Sequence, residues 1–206
     1  MKVAVIDYGM GNIQSLSNSL EYLGAEVHVT SKHEELKNFS TFFLPGVGSF
    51  KLAVDNLKKL NLFDEIKNQV LIKKKKILGI CLGMQLLGNS STENGFSEGL
   101  KFLNNNVTKF NEEKKFSLRI PHVGFNNLSQ ISKNFDLFKN INELDNFYFV
   151  HSYKMRLNSN NKTFACCNYE IEFLAAFQRE NIFGVQFHPE KSQSSGLVLL
   201  RNFLNL

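Results

Sequence analysis

Short apolar runs alternate with helical spacing through the first half of the chain. KVAVIDYG has the pattern of a buried strand ending at Asp7 to Gly9. From Asn12 to Leu23, apolar residues fall at Ile13, Leu16, Leu20 and Leu23, which predicts a helix closed by Gly24. AEVHVT predicts a second strand and TFFLPG a third, stopped at Pro45-Gly46. Phe50 to Leu60 and Leu62 to Val70 are helix-like again, and KILGI is a fourth strand feeding a helix that begins just after Cys81. Such alternation implies right-handed βαβ crossovers, hence an α/β fold with a mainly parallel, partly mixed central sheet and helices on both faces.

After about Leu100 the pattern changes to short strand-like stretches: NVTKF, KFSLRI, NFYFVHSY, FACCNY, IEFLAAFQ and IFGVQF. These are expected to be antiparallel or mixed strands that extend the same sheet and cover one end. A last helix is predicted from about Gly196 to Leu204. With no repeat, low-complexity segment or linker in view, residues 1–206 are expected to form one domain.

Composition narrows the function classes. Hydrophobic content of 43% with 21% charged residues is ordinary for a globular chain. The net charge of +5 is concentrated at Lys73 to Lys76 and at Lys114-Lys115. Such runs are usually solvated faces, and no basic-aromatic interleaving points to nucleic acid. Three cysteines, two of them the neighbours Cys166 and Cys167, make neither a disulfide framework nor a CxxC zinc pattern. The VAVI run after Lys2 is too short for a signal segment or a membrane span. A reduced, soluble, cytoplasmic protein without metal or cofactor is the expectation.

The candidate chemistry begins at ILGICLGMQLL, where Cys81 lies between Gly79 and Gly83. A free cysteine is often simply buried. On a sharp strand-to-helix turn, however, a helix N-terminus favours the thiolate, and the next amide is free to bind an oxyanion. A thiol needs a base, and of five histidines His188 stands out in GVQFHPEKS. In extended geometry His188 and Glu190 project to one side, so the carboxylate can orient the imidazole. Cys81, His188 and Glu190 are therefore the expected triad. In LPGVGSF, a strand ending in Pro-Gly-x-Gly can turn its amides toward a ligand, which makes Val47 N–H the candidate oxyanion donor beside Leu82 N–H. Other readings of these residues are a cysteine hydrolase or peptidase on a similar scaffold, and a binding module. A dinucleotide turn at VAVIDYGMGN is disfavoured because Gln14 stands where GxGxxG requires Gly.

Taken together, DYGMGN, LPGVGSF, GICLGMQLL, IPHVGFN, YFVHSY and FGVQFHPEKSQ resemble the class I glutamine amidotransferases, within them the glutaminase subunits of imidazole glycerol phosphate synthase. The resemblance covers nearly the whole chain. It implies that Cys81 attacks the glutamine side-chain amide and that His188 protonates the departing ammonia. It also implies that Gly46, Gly48, Gln85, Glu93 and the backbone of His151, Ser152 and Tyr153 bind glutamine. The ammonia passes to a (β/α)₈-barrel cyclase subunit, in a heterodimer making imidazole glycerol phosphate and AICAR for histidine biosynthesis. Asn12, His122, Phe125 and Asn126 match the partner-facing surface. The chain differs from the usual family pattern at Phe125 (usually Trp), Val123 (commonly Met) and Gln14 (frequently basic). A related subunit feeding ammonia to a surface-sugar amidotransferase is the alternative partner assignment.

Overall fold

The computed structural model describes residues 1–111, 117–142 and 144–206. The first half runs β1 (Lys2–Ile6), α1 (Ile13–Tyr22), β2 (Glu26–Thr30), β3 (Thr41–Gly46), α2 (Phe50–Lys59), α3 (Leu62–Lys67), β4 (Lys76–Cys81) and α4 (Leu82–Leu86). Ten further strands then come before the last helix: β5 (Ser90–Ser91), β6 (Ser97–Glu98), β7 (Asn106–Lys109), β8 (His122–Asn127), β9 (Gln130–Ile131), β10 (Asn146–His151), β11 (Tyr153–Met155), β12 (Thr163–Tyr169), β13 (Ile171–Arg179), β14 (Ile182–Val185) and α5 (Gln193–Asn205).

The main sheet has the order β2-β1-β3-β4-β14-β13-β12-β9. Its first five strands are parallel and the remaining three add antiparallel neighbours. The parallel strands are nearly continuous apolar runs because both faces of the sheet are covered. Alternation divides β1 between two cores: Val3 and Val5 pack with α1 and α5, Ala4 and Ile6 with α2 and α3. Helices on both faces of a mostly parallel sheet match the expected class.

Three local expectations change. The late strands do not all extend one sheet: among the described residues β8 and β10 form a two-stranded sheet, and β11-β7-β5-β6 form a separate four-stranded sheet. Ser117–Ile120, within the predicted KFSLRI strand, is not a strand; Lys115 and Phe116 lie outside the described residues. The last helix starts at Gln193, earlier than Gly196 suggested. Gly196 is an interior helix position, where any Cβ would collide with the Pro189 carbonyl. This glycine permits close packing against the 189–191 turn and is not a helix-start signal.

The lysine run is largely spoken for. Lys74 pairs with Glu180 at 3.0 Å, and Lys75 Nζ donates to the Leu36 and Lys37 carbonyls at 3.1 and 2.8 Å. Lys76 Nζ donates to the Phe203 carbonyl at 2.9 Å, a cation at the carboxyl end of α5. Among the described residues, no helix is long and apolar enough to cross a membrane.

Candidate active site

Parallel pairing delivers the two reactive side chains to one place. β14 lies beside β4 with Val185 opposite Ile80, so the residues that follow each strand emerge together at the carboxyl end of the sheet. Ligands bind there in open α/β folds. Cys81 closes β4 with φ 53° and ψ −111° and is almost buried. That backbone is strained for any residue with a Cβ, and it turns the side chain out of the sheet while α4 starts at the next residue. Gly83 makes the turn possible, since a Cβ there would run into the Leu44 carbonyl of β3.

His188 and Glu190 meet, but not along an extended strand. Pro189 to Lys191 form a 3₁₀ turn, which brings Glu190 Oε1 to 2.8 Å from His188 Nδ1 with both side chains buried. His188 N–H donates to the Tyr148 carbonyl at 2.9 Å, and Ser192 Oγ donates to the His188 carbonyl at 2.6 Å, fixing the turn against β10. Burial alone would push the imidazole pKa down. The negative charge the Cys81 sulfur can carry, and then Glu190, more than reverse this and push it up to about 10.

A cavity of about 340 Å³ opens at Cys81, lined among others by Val47, Gly48, Leu82, Gln85 and Glu93, with Val150 to Tyr153 along another wall. Val47 is exposed at its rim, and Gly48 has φ 104°. Gly46 is not a lining residue. It is fully enclosed at the end of β3, where the Tyr8 hydroxyl occupies the space a side chain would need. Glu93 Oε2 accepts from Phe50 N–H at 2.8 Å; partial burial raises its carboxyl above the usual range, with the Phe50 amide pulling the other way. The His151 ring turns away from the cavity into Phe110, Phe149 and Phe173, which leaves its backbone for a ligand.

Of the expected partner-facing residues, Phe125 is half exposed, while Asn12, at the start of α1, and Asn126 are part-exposed. His122 departs from expectation: its ring is buried between Tyr169 and Phe149 and presents nothing to solvent. β8 alternates, and its register puts Val123 and Phe125 outward and His122 inward.

Two residues join the site that were not expected there. Gln186 Nε2 lies 3.7 Å from the Cys81 sulfur, and its Oε1 accepts from Gln85 Nε2 at 2.9 Å. Tyr8 carries a buried hydroxyl without a partner, and burial, the Cys81 charge and Asp7 all hold it protonated. Gln186 had a sequence signal, a carboxamide inside the apolar run IFGVQF, which must find partners when buried.

A strained thiol elbow at the carboxyl end of a parallel sheet, with a buried His-Glu pair after the adjacent strand, fits the amidotransferase class, and the glutamine amidotransferase class-I family matches residues 4–206. Imidazole glycerol phosphate synthase subunit HisH 1 of Campylobacter jejuni strain RM1221 is 44% identical over 204 residues, 99% of this chain and 100% of that protein. The HisH subunit of Caldanaerobacter subterraneus is 44% identical over 201 residues, 98% of this chain and 96% of its own length. A chain of PurLQS from Thermotoga maritima shares the fold with a TM-score of 0.74 at 20% identity, covering 99% of this chain and 97% of that one. The protein belongs to the class I glutamine amidotransferases and, among them, to the imidazole glycerol phosphate synthase HisH subunits. The peptidase and dinucleotide-binding readings fall away.

Proposed function

We propose that this chain hydrolyses glutamine to glutamate and ammonia with Cys81, His188 and Glu190, as the glutaminase subunit of imidazole glycerol phosphate synthase. The observation that carries the reading is that the strained Cys81 elbow opens on one cavity while the buried His188–Glu190 pair follows the neighbouring strand. Cys81 thiolate adds to the carboxamide carbon, and the oxygen that gains charge is met by the Leu82 and Val47 amides. His188 gives its proton to the nitrogen as the C–N bond breaks, releasing ammonia and leaving a glutamyl thioester. Water, deprotonated by His188, adds to the thioester; the C–S bond breaks to free glutamate and regenerate the thiolate. Glu190 keeps Nδ1–H in place throughout. Gln85, Glu93 and the backbone of residues 151–153 hold the amino-acid end of the substrate, with Gly48 giving it close access to the loop.

The ammonia goes to a cyclase subunit with a (β/α)₈ barrel, docked over the outward face of β8 and β10. There Val123 and Phe125 stand exposed, Phe125 meets Tyr148 at 5.4 Å, and Val150 continues into the cavity wall. An apolar patch at the mouth of the catalytic cavity seals ammonia from water if a partner covers it. The test is glutamine-dependent ammonia release by the chain mixed with a barrel cyclase, compared with Cys81→Ala. Release that requires Cys81 and rises with the cyclase is expected. Release unaffected by Cys81→Ala overturns the triad, and stimulation by a sugar amidotransferase in place of the cyclase overturns the partner.

A further inference from the structure

The carbonyl of Tyr153 can only accept hydrogen bonds, and two side chains donate to it: Gln85 Nε2 at 2.9 Å and His151 Nδ1 at 2.8 Å. This one group sets the sense of a longer chain. With its nitrogen committed, Gln85 also donates to Gln186 Oε1 at 2.9 Å, so Gln186 must point its Nε2–H at the Cys81 sulfur, 3.7 Å away. In the other direction, His151 carries its proton on Nδ1, and burial keeps the ring neutral. Its bare Nε2 therefore accepts from His122 Nδ1 at 3.2 Å. His122 lies on β8, between Pro121 at the cavity and the exposed Val123.

We propose that Gln186 is a hydrogen-bond donor to the Cys81 thiolate, held in that sense by Gln85 and, through it, by the Tyr153 carbonyl. A buried carboxamide donor stabilises a thiolate more than a thiol, because bonds to charged acceptors are the stronger ones. Gln186 thus adds to what His188 does for the sulfur. Gln85 is a positioning residue: its Nε2 bridges the Tyr153 carbonyl and Gln186 Oε1, which leaves Gln186 Nε2–H for the sulfur. The inference rests on Cys81 being the nucleophile of the proposed reaction.

The titratable groups around the sulfur are His188 with Glu190 behind it, Tyr8 from the end of β1, His151 from β10, and Glu93 on the cavity lining. The experiment is the pH dependence of Cys81 alkylation by iodoacetamide in the full chain, located by peptide mass. Cys166 and Cys167, buried with pKa values pushed up to about 12, serve as slow internal references. Gln186→Leu is expected to raise the inflection for Cys81 by about one pH unit. Gln85→Leu removes the donor that holds Gln186 Oε1, so it should shift the inflection the same way by less. If Gln186→Leu does not fold, Gln85→Leu still decides. An unchanged inflection in folded Gln186→Leu, or in folded Gln85→Leu, overturns the proposal. Wild-type Cys81 labelling no faster than Cys166 and Cys167 overturns instead the nucleophile reading on which it rests.

Discussion

Cys81 sits where a glycine would be more comfortable, at φ 53° and ψ −111°. Strain of this kind costs about 1–3 kcal/mol and persists at functional sites because the surrounding packing enforces it. Cys81→Gly is therefore expected to be more stable than Cys81→Ala by about 1 kcal/mol in urea unfolding, while both lose glutamine hydrolysis. Equal stability would mean that the turn is relaxed. Glu190→Gln tests the other end of the triad. The amide can still meet His188 but no longer offsets its charge, so the turnover rate should fall by about 10²–10⁴. At this scale the sequence was informative: GICLG and FHPE carry all three side chains of the proposed triad. What it concealed was geometry. The His188–Glu190 contact is made by a 3₁₀ turn, because Pro189 ends the strand; simple alternation would have aimed the same two residues by another route.

Between elements, buried polar groups do the joining. His151 and His122 are held neutral, with pKa values pushed by burial to about 3 and about 4 from an ordinary 6.5. Between those values the unfolded chain takes up protons that the folded chain refuses. Their contribution to stability is thus complete above about pH 6.5 and shrinks as pH falls. Each histidine can cost up to about 2 kcal/mol by pH 5. Urea midpoints across pH 7 to 4 should fall less steeply in His122→Asn than in wild type. Lys76 links β4 to the end of α5, and Lys76→Met should lower stability by about 1 kcal/mol through loss of the contact to the Phe203 carbonyl. Long periodic segments such as α1 and the strands of the parallel sheet were legible, because one face of each must be apolar. The short strands after Leu100 were visible as strands but not as partners, since period-two alternation says which side is buried and not which neighbour is paired.

Over the whole molecule, the parallel part of the sheet supplies the proposed nucleophile and its base, while the β8–β10 ribbon offers an apolar face. Phe125→Asp and Val123→Asp place a charge on that face, and each should weaken association with a barrel cyclase at least tenfold in a titration. Equal affinity would move the docking surface elsewhere. His122 shows why such surfaces are hard to read from a linear motif: in PHVGFN the first side chain is core and only alternate ones face outward.

The pairing of β14 with β4 has a consequence for how the chain comes into being. Cys81 and His188, the proposed nucleophile and its base, lie more than a hundred residues apart, so β4 is synthesised well before the strand that pairs with it. A nascent or truncated chain ending before Ile182 carries the thiol without its imidazole and exposes one edge of β4. Such a fragment cannot waste glutamine, and its open edge marks it for proteolysis. Placing the proposed base so far along the chain from the thiol makes the late pairing of β14 with β4 a condition of catalysis.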